Sequence, residues 1–183
     1  MQRKCRGSMT TLVIGGAASG KSEYAESLLK SVDKKLYIAT MQPFGEEAQQ
    51  RIARHRMLRA NKGFATLERF TAFNAFSDTL LPFGSSVLLE CLGNLVANEL
   101  FSPDGAKESA ESAIINGMKL LSGRCRHLVV VTNDVFADGI TYDADTERYL
   151  TLLGRCNAVL ADQFDVVVEV VCGIPIVLKG AAT

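Results

Sequence analysis

Residues 15–22 read Gly-Gly-Ala-Ala-Ser-Gly-Lys-Ser and satisfy G-x-x-x-x-G-K-[ST] at every fixed position. The apolar run Thr11–Ile14 precedes them, and the helix-compatible stretch Glu23–Lys30 follows. Strand, glycine-rich turn and helix in that order call for a fold that delivers a loop to the end of a buried strand. Gly15, Gly16 and Gly20 allow backbone conformations in which several N–H groups converge on one phosphate. The helix after the loop adds the positive end of its dipole. Lys21 neutralises charge on β- and γ-phosphate oxygens, and Ser22 offers a hydroxyl to Mg²⁺. Gly15, Gly16, Ala17, Ala18, Ser19, Gly20, Lys21 and Ser22 are therefore expected to hold a nucleoside triphosphate, with Lys21 catalytic and Ser22 a Mg²⁺ ligand. The G-x-G-x-x-G fingerprint is absent from this loop, which argues against a dinucleotide oxidoreductase.

Leu12–Gly15 heads a series of short apolar runs, continued by Leu36–Ala39, Val87–Glu90, Leu128–Thr132 and Val166–Val171. They are rich in Val, Ile and Leu and do not alternate, as strands covered on both faces require. Between them lie helical patterns. Tyr149, Leu152, Leu153, Cys156, Val159 and Leu160 recur with the helical period, as do Ala110, Ala113, Ile114, Met118 and Leu121. A third helix is predicted over the arginine-rich stretch Glu46–Arg59. Strands alternating with helices predict an α/β fold of the P-loop type, a mostly parallel sheet with helices on both faces and right-handed crossovers. Pro82–Gly84 and Pro103–Gly105 read as turns rather than boundaries, so residues 9–183 are expected to form a single nucleotide-binding catalytic domain. Residues 1–8 are polar and basic with no apolar stretch behind them. They read as a disordered extension rather than a secretory signal, with Met9 a plausible native start.

The formal net charge is zero, so nothing in the overall charge points to nucleic acid or an anionic membrane. No apolar run approaches the roughly 18 residues a membrane helix needs. The five cysteines form no C-x-x-C pair, which argues against zinc or redox sites. They read as small core residues in a reducing cytoplasm.

A carboxylate near the metal is needed at the end of a neighbouring strand. Glu90, after Val87–Leu89, and Asp134, after Val129–Asn133, are both candidates, and either one could instead cap the following helix. Of the two histidines, His127 precedes a strand and reads as structural or exposed. His55 lies in Arg51-Ile52-Ala53-Arg54-His55-Arg56-Met57-Leu58-Arg59, where Arg51, His55 and Arg59 share a helix face. Arginines attract phosphate and disfavour the imidazolium, leaving a neutral nitrogen able to attack phosphorus. A solvated basic helix or an RNA-binding helix would look similar. The stretch lacks the interleaved aromatics that favour the RNA reading.

Together these stretches resemble the family of bifunctional adenosylcobinamide kinases / adenosylcobinamide-phosphate guanylyltransferases of cobalamin assembly. The resemblance runs from about Thr11 to Gly180. It rests on Gly15–Ser22, Leu36–Thr40, Arg51–Arg59, Leu88–Asn98, Val131–Gly139, Gly154–Asn157, Leu160–Asp162 and Val170–Pro175. The combination of R-I-x-x-H-R, L-E-C-L and V-T-N-[DE]-V is more specific than the P-loop. Three positions depart from the family's habit. Ala60 stands for a usual Pro, Phe64 for a Trp, and Asp134 for the commoner Glu.

The resemblance implies that ATP or GTP phosphorylates the aminopropanol hydroxyl of adenosylcobinamide. GMP from GTP is then joined to that phosphate through a guanylyl-histidine at His55. It also implies nucleotide contacts from Ala39, Thr40, Met41, Arg56, Met57, Leu58, Arg59, Glu68 and Glu90, and a homo-oligomer, a trimer in this family. The alternatives are a monofunctional small-molecule kinase with His55 a bystander, a GTPase switch, and a member that has lost one activity. The switch is disfavoured because Asn61-Lys62-Gly63-Phe64 lacks the Asp of N-K-x-D.

Overall fold

The computed structural model describes residues 7–32, 34–73, 76, 81–135 and 141–181, with the backbone alone at Glu47, Leu58 and Arg59. Most of the expected extension, residues 1–6, lies outside the described residues, as do residues 136–140 of the Val131–Gly139 motif.

Among the described residues seven strands form one sheet in the order β3-β2-β4-β5-β1-β6-β7. They are β1 (Met9–Gly15), β2 (Lys35–Ala39), β3 (Phe64–Glu68), β4 (Ser86–Glu90), β5 (His127–Asn133), β6 (Val166–Val171) and β7 (Ile174–Lys179). All pairings are parallel except β6 with β7. The helices are α1 (Lys21–Ser27), α2 (Gly45–Arg59), α3 (Leu92–Phe101), α4 (Ala110–Arg124) and α5 (Ala144–Gln163).

The pleat sorts the strand residues between two cores. Val13, Tyr37, Leu88, Val129, Val131 and Val168 pack with Ala25 of α1 and with Leu29 just beyond it. Leu12, Ile38, Val87, Leu89, Leu128, Val130 and Val167 pack on the other face with α3, α4 and α5. Because both parities are buried, the central strands are apolar throughout, which is why their sequences do not alternate. At the start of β1, both the amide and the hydroxyl of Thr10 donate to Asp165 Oδ2 at 2.8 Å, fixing β1 beside the entry to β6.

All five expected strands form. The helix expected over Glu23–Lys30 instead covers Lys21–Ser27, then tightens into i→i−3 bonds such as Lys30 N–H to Ser27 O at 3.2 Å. The sequence reading did not include α3, β3 or β7. The last two are edge strands, and every residue of β7 is exposed, so they carry no buried apolar signature. The core reading of the cysteines holds for Cys125 and Cys156. It needs correction for Cys172, which is exposed at φ 50° in the β6–β7 turn, beside an edge strand that is exposed throughout.

Gly117 brings α4 against the chain at Phe73. A Cβ there would lie 2.5 Å from the Phe73 carbonyl oxygen and 2.7 Å from its Cβ. Gly117→Ala is therefore expected to destabilise the protein by about 1–3 kcal/mol through overpacking, despite alanine's better helix propensity. A urea titration checks this. The midpoint should fall with an unchanged slope.

Candidate functional site

The loop between β1 and α1 takes the shape its glycines permit. Gly20 has φ 91° and Ala18 has φ 55°. At Gly15 the need is space, because a Cβ would meet Ser19 Oγ at 2.5 Å and the Val170 carbonyl oxygen at 2.7 Å. The β6–β7 turn braces the loop from the side, with Gly173 N–H donating to Ser19 O at 2.8 Å. Lys21 is buried, and its Nζ donates to Gly16 O at 2.8 Å, so its ammonium lies over the loop.

Ser22 Oγ donates to Glu90 Oε1 at 2.5 Å, and Tyr37 Oη donates to Glu90 Oε2 at 2.9 Å. Both oxygens of this carboxylate are thus aimed, one of them at the hydroxyl expected to meet the metal. Strand parity explains the choice between the two candidate carboxylates. Glu90 continues the series of Leu88, on the α1 face. Asp134 continues that of Leu128 and Val130, on the opposite face. Asp134 is exposed, and it meets the loop only through its backbone N–H, which donates to Gly15 O at 3.1 Å. Tyr37 was missed in the sequence. Its only signal is that it stands two residues before Ala39, on the face that leads to the loop.

The carboxyl-terminal edge of the sheet is where ligands bind in folds of this kind. Register places Glu68, Ala39 and Glu90 in a row there, and aligns Asn133 with Gly15. Arg56 of α2 forms an ion pair with Glu68, linking that row to the turn of helix that carries His55. Among the described side chains of α2 none is buried. Ala48, Ile52 and His55 are the half-covered ones, spaced as one stripe. Sequence spacing had grouped His55 with Arg51 and Arg59. Here Arg51 is exposed outside the stripe, and the side chain of Arg59 lies outside the described residues, as does that of Leu58. Met57 is exposed and Met41 half-buried. Thr40 is fully buried, with its hydroxyl donating to Cys91 O at 2.8 Å, so its side chain ties the end of β2 to the end of β4. The structure therefore brings Lys21, Ser22, Glu90 and Tyr37 into one constellation. It leaves His55, Arg56 and Glu68 as a second group on the same edge. His127 begins β5, at the opposite end of the sheet.

A parallel α/β sheet with this loop at the end of β1 defines a P-loop nucleotide-binding protein. A family model described as "Cobinamide kinase / cobinamide phosphate guanyltransferase" matches residues 11–178, and the chain belongs to that family of transferases. It is 33% identical over 182 residues to the bifunctional adenosylcobalamin biosynthesis protein CobU of Escherichia coli (strain K12), covering 93% of this chain and 100% of that one. It is 31% identical over 174 residues to the bifunctional adenosylcobalamin biosynthesis protein CobP of Pseudomonas aeruginosa, covering 94% and 98%. In fold alone it is similar to a solved protein of Pyrococcus horikoshii OT3, with a TM-score of 0.53, 13% identity, and coverage of 97% of this chain and 89% of that one. Among the described residues no helix is long and apolar enough to cross a membrane.

Proposed function

We propose that this protein phosphorylates the aminopropanol hydroxyl of adenosylcobinamide with ATP or GTP, and then transfers GMP from GTP to the new phosphate through His55. The observation that carries this reading is the shared sheet edge. Lys21, Ser22 and Glu90 converge at the P-loop, and the Arg56–Glu68 pair ties the His55 turn of α2 to the same row. In the kinase step the substrate oxygen attacks the γ-phosphorus, the bond to the β-phosphate oxygen breaks, and the hydroxyl proton is released to solvent. Lys21 leaves the Gly16 carbonyl and neutralises the phosphate oxygens. In the second step a neutral His55 nitrogen attacks the α-phosphorus of GTP, and pyrophosphate leaves. The corrinoid phosphate then displaces GMP from His55, which restores the imidazole and predicts ping-pong kinetics.

Mg²⁺ fits the residues present. Ser22 Oγ and the Glu90 carboxylate are adjacent oxygen donors, and Mg²⁺ commonly takes one or two protein oxygens with phosphates and waters completing its shell. When bound there, Mg²⁺ would neutralise charge on the phosphates. Tyr37 holds the carboxylate in place. Glu90→Gln is expected to slow both steps about 10- to 100-fold, as loss of a supporting carboxylate does. Asp134→Asn should stay near wild type. Steady-state rates of the two variants decide between the carboxylates.

In this reading residues 9–183 act as one catalytic domain in the cytoplasm, without nucleic acid. Copies associate as a homo-oligomer, a trimer by the family resemblance. Ile174, Ile176, Val177 and Leu178 on the exposed edge strand β7 support association.

The test is mass spectrometry of adenosylcobinamide incubated with the protein and Mg²⁺. A phosphorylated corrinoid should form with ATP alone, and its GDP derivative only once GTP is present. Absence of both products defeats the reading. Phosphorylation that never proceeds to the GDP derivative leaves a monofunctional kinase.

A further inference from the structure

Three polar groups with no part in the chemistry above converge on one spot beside the P-loop. Gly93 is the second residue of α3. A methyl group built on it would lie 2.9 Å from the Tyr149 hydroxyl, 3.3 Å from Asn133 Nδ2 and 3.8 Å from Cys91 Sγ. The three groups come from α5, from the end of β5 and from the residue after β4. Neither the Tyr149 hydroxyl nor the Asn133 carboxamide has a hydrogen-bond partner among the described residues. Tyr149 and Asn133 are both half-buried, so these groups stand at the margin of the site rather than inside the core.

Their position relative to the loop is fixed by the sheet. Asn133 pairs in register with Gly15, and Cys91 directly follows the Glu90 that engages Ser22. Burial pushes the Tyr149 hydroxyl up to about 12. The phenol is therefore neutral at physiological pH. A phenol and a carboxamide can each donate and accept, which matches an alcohol that must do the same. The trio holds no cation, so it favours a neutral hydroxyl over the phosphomonoester that the kinase step makes of it.

We propose that Asn133 and Tyr149 form the acceptor subsite of the kinase step, binding the substrate alcohol next to the γ-phosphate. This rests on the kinase reading above. Glycine at position 93 lets the Tyr149 hydroxyl approach α3, since a Cβ there would lie 2.9 Å from it.

The test measures KM for adenosylcobinamide and for ATP separately in Tyr149→Phe and Asn133→Ala, with labelling of the protein by α-labelled GTP as a control. Each variant should raise the corrinoid KM about threefold to tenfold, the value of one neutral hydrogen bond, while the ATP KM and the labelling stay constant. Corrinoid KM values that do not move in Tyr149→Phe and Asn133→Ala would overturn the subsite. An ATP KM that rises in step would also overturn it, by placing the pair in the nucleotide site. A wild-type protein that phosphorylates no corrinoid defeats the kinase reading itself and the subsite with it.

Discussion

Alanine at His55 is expected to leave a protein that still phosphorylates adenosylcobinamide but no longer takes up label from α-labelled GTP. The expected loss of guanylyl transfer is on the order of 10³-fold or more, because removing a nucleophile leaves only the binding and electrostatic contributions. The kinase step should persist, because the P-loop constellation of Lys21, Ser22, Glu90 and Tyr37 contains no atom of His55. Stability should change by less than about 0.5 kcal/mol, since His55 is only half-buried on a helix with no buried side chain among those described. The label on wild-type protein should be labile to acid and stable to base, as a phosphoramidate is. Label that survives in His55→Ala would assign the covalent step to another residue. A wild-type protein that binds GTP and never labels would remove the covalent step altogether.

Lys21→Ala is expected to act differently, lowering both activities together by about 10²- to 10³-fold, the usual effect of losing one preorganised group that meets transition-state charge. The contrast with His55 is the informative part. Lys21 reaches over the loop from the first residue of α1 and donates to Gly16 O, so a nucleotide in either step meets the same ammonium. Alanine there removes a buried cation along with its single carbonyl bond, and the loop keeps its brace from Gly173. Thermal melting should therefore show a folded protein whose stabilisation by ATP is reduced. If the kinase rate stays at wild type while labelling fails, the two steps do not share the P-loop, and the single-site reading is wrong.

Much of the site was legible because its signals are local. The loop Gly15–Ser22 declares itself through residues whose backbone freedom, charge and hydroxyl are needed within eight consecutive positions. Two-sided burial wrote β1, β2, β4, β5 and β6 into the chain as apolar runs. His55 stood out because arginines surround it within one stretch of helix.

Other features depend on which strands become neighbours, and no local pattern encodes that. Glu90 and Asp134 both end apolar runs, and only the pleat decides that Glu90 faces Ser22 while Asp134 follows the opposite face. Tyr37 acquires its role because β2 pairs with β4, which places its hydroxyl on Glu90. The convergence of Tyr149, Asn133 and Cys91 beside Gly93 gathers parts from three separate elements of the chain. The edge strands β3 and β7 bury too little to leave a pattern. The phosphate loop, the central strands and the candidate nucleophile are each specified by neighbours along the chain. Which carboxylate meets Ser22, and what lines the edge beside it, follows from strand order and side-chain parity, which are settled when the sheet assembles.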